Sequence, residues 1–143
     1  MAEKVLLIDD EKYFVETLSE RMRSRGMEVS TATSAKEGLQ KADNEYYDAI
    51  ILDLMMPEMN GIEALVALRE KNPDLQIILL TGYATMDAGI QAMKLGATDF
   101  LEKPIDIKTL TEKIKEAHAK KMILVEKRNR EKIRQAILEK SDK

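Results

Sequence analysis

The stretch AIILDLMMPEMNG, residues 49–61, runs four apolar residues straight into an acid and then gives up regular structure at Pro57 and Asn60-Gly61. A short apolar run bounded by turn residues reads as a strand buried on both faces. A carboxylate at the open end of such a strand is costly unless something pairs with it. Asp53 is therefore the residue to explain.

Similar runs lie on either side: KVLLI (4–8), QIILL (76–80), TDFL (98–101) and a weaker, alternating MEVSTA (27–32). Between them apolar residues recur three or four apart, the helical spacing. Phe14, Leu18 and Met22 line one such face, Ile62, Leu65 and Leu68 another, and Leu110, Ile114 and Ala117 the last. Ser34 with Glu37 has the form of a capping box, and Asp106 can cap the final helix. Gly26 and Gly96 stand where helices should stop. Strand and helix alternating five times predicts an α/β, doubly wound parallel sheet with helices on both faces and right-handed crossovers.

In such sheets ligands bind beyond the carboxyl ends of the strands. Asp9, Asp10 and Glu11 follow the first strand, Asp53 the third, Thr81-Gly82 the fourth, and Glu102, Lys103 and Pro104 the last. Each alone is an ordinary strand terminator, turn or loop. Together they bring acids, a hydroxyl and an amine to one edge of the sheet.

Carboxylates about 4 Å apart repel by roughly 4 kcal/mol per pair at an effective dielectric near 20, so they stay ionised together only beside a cation. With no cysteine and one histidine in the chain, an all-oxygen site selects a hard divalent ion, and few ligands with open positions suit Mg²⁺ better than Ca²⁺. Metal-bound carboxylates beside a lysine neutralise a transferring phosphoryl group, and an Asp can itself be the nucleophile. On this reading Asp53 accepts the phosphoryl group and Asp10 is a direct metal ligand. Asp9 completes the pocket through metal-bound water, and the Thr81 hydroxyl and Lys103 ammonium meet the phosphate oxygens.

LLIDDE, IILDLMMPEMNG, ILLTGYA and GATDFLEKP together resemble the motif set of bacterial response-regulator receiver domains, the family of chemotaxis-type regulators, over about residues 4–119. The resemblance implies a flavodoxin-like fold with strand order 2-1-3-4-5 and five helices. It implies a two-component role in which Asp53 takes a phosphoryl group from a sensor histidine kinase or phosphotransfer protein, with Mg²⁺ required. It further implies that the Met55 carbonyl is a metal ligand, that Lys103-Pro104 is a cis peptide, and that Phe100 is the switch aromatic. Phosphorylation adds about −1.5 to −2 charges; Thr81 swings toward it and Phe100 enters the vacated space. The readout surface is then the fourth helix, fifth strand and fifth helix, roughly residues 86–117.

Some positions vary within that pattern. Phe100 has no hydroxyl and reports by packing alone. Met55 and Tyr83 flank the approach of the hydrolytic water, and two readings stand side by side: their bulk slows self-dephosphorylation, or they merely fill loop space. His118 reads as a surface residue. Glu11 either supports the acidic pocket or opens the first helix. Gly61 answers a conformational need of its loop. Asp48, Asp87 and Asp99 fall at helix or strand beginnings, away from the site.

Composition sets the outer bounds. A hydrophobic fraction of 44% with two Phe and no Trp implies an aliphatic and Met core. Absence of cysteine fits a reducing compartment, and no signal peptide or apolar span is read, so the expectation is a soluble, cytoplasmic protein without a membrane partner. The net charge of −3 divides unevenly: residues 120–143 carry nine Lys/Arg against four Asp/Glu, leaving −8 on residues 1–119. The division expected is a receiver domain over 1–119 and a basic helical extension or linker over 120–143. Without aromatic interleaving or a helix-turn-helix pattern, a solvated helical face is preferred to nucleic-acid binding. An unbroken final helix to residue 141 would be roughly 54 Å long, against a body with a radius of gyration near 13–14 Å. It must project, pair with another chain, or break. Met122, Val125, Asn129, Ile133 and Ala136 form an incomplete apolar stripe, which leaves open a homodimer through this helix or through the readout surface, and a linker to an output domain of unknown kind.

Rival functions are weaker. A haloacid-dehalogenase-like phosphatase needs a second Asp two residues after the first, and that position is Met55. No G-x-G-x-x-G follows the first strand, which excludes dinucleotide binding. A phosphorylation-independent docking module remains as the alternative to a phosphoacceptor.

Overall fold

The apolar runs become the strands of one sheet. The computed structural model of the chain describes residues 2–56, 61–82 and 86–141. Its elements alternate as β1 (Lys4–Ile8), α1 (Lys12–Ser24), β2 (Glu28–Ala32), α2 (Ala35–Asn44), β3 (Ala49–Asp53), α3 (Gly61–Lys71), β4 (Ile77–Thr81), α4 (Met86–Lys94), β5 (Asp99–Glu102) and α5 (Ile107–Ser141). All pairings are parallel, in the order β2-β1-β3-β4-β5. The order reverses at β1, which puts a crevice beyond the ends of β1 and β3.

Period-two alternation divides the core between the two faces of the sheet. Leu6, Ile8, Ile50, Leu52, Ile77 and Leu79 face Ala64, Leu65 and Leu68 of α3. Val5, Leu7, Ile51, Ile78 and Leu80 face Val15, Leu18 and Met22 of α1 and Leu110, Ile114 and Ala117 of α5. Each fully buried aliphatic side chain contributes about 1.5–3 kcal/mol. The aliphatic and Met core expected from composition is the one found.

Three strands run one residue further than their apolar letters. Asp53, Thr81 and Glu102 close β3, β4 and β5 because the ladder continues: Leu54 N–H donates to Leu80 O at 3.3 Å and Lys103 N–H to Thr81 O at 2.8 Å. The acid and the hydroxyl are thus strand residues, held by the sheet itself. Helix ends follow the expected chemistry. Gly26 and Gly96 have φ of 89° and 108°, and Ala97 N–H returns to Ala92 O at 3.2 Å, the Schellman closure. Asp106 accepts from Thr109 N–H at 3.3 Å. Ser34 accepts from Glu37 N–H at 3.1 Å, but Glu37 turns its own carboxylate to Lys41 at 3.4 Å, so only half of the capping box forms.

Gly61 corrects its expectation. It opens α3 rather than lying in an irregular loop, and no positive φ demands it. A Cβ there would sit 2.4 Å from Leu54 Cα and 2.9 Å from Asp53 O. The requirement is close approach to the chain just after Asp53.

α5 neither stops at the body nor breaks. Its first turns bury Ile107, Leu110, Ile114 and Ala117. Lys121 Nζ then donates to Tyr47 O at 3.0 Å, and Arg128 forms a two-pronged pair with Asp74, Nη1 to Oδ2 at 2.5 Å and Nη2 to Oδ1 at 2.8 Å. Beyond Arg128 the apolar residues face outward, with Ile133 61% exposed. Among the described residues no helix is long and apolar enough to cross a membrane.

Candidate functional site

The sheet brings the strand-end residues together. Asp53 ends the central strand with 5% exposure. Its Oδ1 accepts from Met55 N–H at 3.2 Å, and its Oδ2 lies 3.8 Å from Lys103 Nζ. Asp9, fully buried after β1, is fixed from two sides: Oδ1 accepts from Glu11 N–H at 3.0 Å and Oδ2 from Lys103 Nζ at 2.9 Å. Asp10 is exposed beside them, and Asp9, Asp10 and Asp53 each present an oxygen within 4.8 Å of the others. Glu11 caps α1 with its backbone and keeps Oε1 3.9 Å from Lys103 Nζ, so both readings of that residue hold in part.

Lys103 reaches this cluster from the loop after β5, through a cis Lys103-Pro104 peptide. Burial alone would lower its pKa, but the hydrogen bond to Asp9 and the charges of Asp53, Asp9 and Glu11 raise it overall. The ammonium is firmly charged. The Asp53 pKa is raised as well, which for a carboxylate disfavours the charged form: desolvation and then the adjacent Asp9 push it up to about 6, against the Met55 N–H and Lys103. Among the described residues, one cation faces the three clustered carboxylates and does not compensate them. The remaining charge of −2, on oxygen donors alone, fits a hard divalent ion.

Thr81 is fully buried, and its hydroxyl donates to Leu101 O at a long 3.4 Å. It lines a groove of about 250 Å³ with Gly89, Ile90, Met93, Lys94 and Phe100. Phe100 is 39% exposed on β5. Gly89 brings α4 close enough that a Cβ there would stand 3.1 Å from Thr81 Cγ2. Met55 points its side chain outward, 62% exposed. Tyr83 lies outside the described residues.

The response regulator receiver domain family profile matches residues 5–115. The chain belongs to the response-regulator receiver family. This receiver domain is 37% identical to the photosynthetic apparatus regulatory protein RegA of Cereibacter sphaeroides over 107 residues, 75% of this chain and 58% of that protein. It is 32% identical to the transcriptional regulatory protein ZraR of Klebsiella oxytoca over 80% of this chain and 26% of that one. The chain therefore spans just over half, or about a quarter, of these relatives' lengths. A receiver domain protein from Clostridium thermocellum superposes with a TM-score of 0.82 at 34% identity, covering 87% of this chain and 99% of that one. A CheY-like receiver from Methanospirillum hungatei gives 0.80 at 30%, covering 85% and 98%. Such domains are the signalling modules of two-component regulatory systems.

The contacts of Phe14 and His118 have no forerunner in the sequence motifs of the receiver domain. Phe14, which helical spacing assigns to the core face of α1, also sets its ring 4.4 Å from Lys103 Nζ. The only sequence hint is its place one turn after Asp10. His118 is more than a surface residue: Nδ1 lies 2.8 Å from Asp48 Oδ1, tying α5 to the entry of β3. That contact is at the far edge of the sheet from Asp53.

Proposed function

We propose that Asp53 accepts a phosphoryl group from a phosphohistidine of a sensor histidine kinase or phosphotransfer protein. A carboxylate oxygen forms the new bond to phosphorus as the P–N bond breaks, and the released imidazole nitrogen keeps the electron pair and takes a proton. The observation that carries this reading is the buried Asp53 carboxylate, 3.8 Å from Lys103 Nζ and clustered with Asp9 and Asp10. Asp9, Asp10, Asp53 and the Met55 carbonyl would hold Mg²⁺, which when bound neutralises charge on the phosphoryl oxygens. Met55 N–H orients the Asp53 carboxylate, and Lys103 compensates oxygen charge on the opposite side.

Thr81 and Phe100 form the switch. The hydroxyl's present bond to Leu101 O is long, so little opposes its transfer to a phosphoryl oxygen. Hydrogen bonds to a charged group contribute about 1.5–3 kcal/mol each, and two of them approach the ~5.5 kcal/mol that takes a 1:99 equilibrium to 99:1. Phe100, beside the Thr81 groove, is placed to fill the space left behind. Residues 1–119 act as the receiver and 120–143 as a helical extension that passes the altered α4–β5–α5 surface to a partner, a second copy or an output domain. Met55 sets phosphoryl lifetime together with Tyr83.

Incubation with a small phosphodonor and Mg²⁺, followed by intact mass, tests the central step. One added phosphoryl group on the wild type and none on Asp53→Asn is expected. Equal labelling of both, or of neither, contradicts it.

A further inference from the structure

We infer that Phe14 is a positioning residue for the Lys103 ammonium, an inference that rests on Asp53 being the phosphoacceptor. Lys103 Nζ has three N–H donors and, among the described residues, one strong partner, Asp9 Oδ2 at 2.9 Å. Asp53 Oδ2 at 3.8 Å and Glu11 Oε1 at 3.9 Å lie beyond hydrogen-bond reach. The Phe14 ring, centred 4.4 Å from Nζ, occupies another part of the ammonium's surroundings. Phe14 is itself half-buried and packed on the core cluster that holds Val15, Leu18, Ile107 and Leu110. The ring is thus fixed by the fold, and so is the face it presents.

An aromatic face attracts a cation through its quadrupole, most strongly where water is excluded. It also offers no lone pair to compete for the N–H donors. A carboxylate in the same place would claim one of them and neutralise the charge. A water there would do the former. Phe14 therefore restrains the lysine while leaving donors available for phosphoryl oxygens as they arrive at Asp53. Without that restraint the four-carbon stem lets the ammonium swing toward exposed Glu11 and solvent, and the poised fraction falls.

Position and chemistry are separable by experiment. Phe14 is replaced by Leu, by Tyr, and by phenylalanines carrying one, two and three ring fluorines, which preserve shape while weakening the quadrupole. The rate of phosphoryl uptake from acetyl phosphate at saturating Mg²⁺ is followed by intact mass, with thermal unfolding of each variant alongside. Phe14→Tyr should hold the rate near wild type, Phe14→Leu should lower it roughly three- to tenfold, and the fluorinated series should fall stepwise with little change in Tm. Wild-type rates for the Leu and trifluoro variants would overturn the role of Phe14 and leave the phosphoacceptor intact. A slow Leu variant with a full-rate trifluoro variant would overturn the electrostatic role in favour of shape. Failure of the wild-type protein to take up phosphate would instead overturn the phosphoacceptor reading, and this one with it.

Discussion

At Asp53 the fold works against its own stability. A carboxyl whose pKa is raised from 3.8 to about 6 favours the folded state when protonated. That contribution is complete below about pH 3.8 and is lost as pH rises through about 6. Without divalent ions, Asp53→Asn should therefore be more stable than wild type at pH 7.5, by about 1–2 kcal/mol after solvent screening. The difference should vanish near pH 4, and chemical denaturation at the two pH values in EDTA checks it. A variant no more stable at pH 7.5 would mean that the carboxylate is better compensated than its neighbours suggest. Gly61 offers a second residue-scale test. With Leu54 Cα 2.4 Å from a modest added Cβ, Gly61→Ala must displace backbone next to Asp53. A loss of about 1–3 kcal/mol is expected, with slower phosphoryl uptake; unchanged stability would show that α3 yields easily.

Among the elements, α3, α4 and α5 are tied through the loop before β4, at the end of the sheet opposite the site. Arg69 donates Nε to Gly96 O at 2.9 Å and Nη1 to Pro73 O at 2.9 Å and Leu75 O at 2.5 Å, and Nη2 also bonds Gly96 O. One guanidinium thus joins the ends of α3 and α4 to the loop before β4. Asp74 of that loop holds Arg128 of α5. Arg128→Ala leaves a buried carboxylate without this partner, so a loss of about 1 kcal/mol is expected. Amides of residues 124–132 should exchange faster by hydrogen–deuterium exchange. Unaltered exchange there would mean that the extension keeps its order without the pair. The strands and most helix caps were legible because unbroken apolar runs, Ser, Asp and Gly leave local marks. The Arg69 contacts were not, since their acceptors are backbone carbonyls that every residue possesses. Arg128–Asp74 and His118–Asp48 join positions 54 and 70 residues apart, a pairing that no local spacing encodes.

For the molecule as a whole, the asymmetry of charge has a place in the fold. Asp9, Asp10 and Asp53 cluster at one end of the sheet, and the basic residues of 120–141 lie on a helix that leaves from the other. Asp9, Asp10, Asp53, Thr81 and Lys103 could be assembled from sequence because a parallel sheet puts all strand ends on one edge. Phe14 could not, because its helix spacing already had a sufficient explanation in packing. Mg²⁺ should raise the unfolding temperature at pH 7.5, by about 1.4 kcal/mol of stability at roughly ten times Kd. The gain should shrink toward pH 5, where Asp53 takes up a proton, and shrink in Asp10→Asn. A Mg²⁺ effect of equal size at both pH values would place the ion away from Asp53. The unbroken α5 has a mechanical meaning as well. From Arg128 to the last described residues it extends roughly 20 Å as a rigid rod, with Arg128–Asp74 as its fulcrum. A tilt of about 10° at that fulcrum carries the tip some ~3 Å, on the order of one residue's rise in a strand. Under the proposed switch such a tilt would make the extension a lever, turning ångström-scale shifts at the body into a displacement that a partner could read.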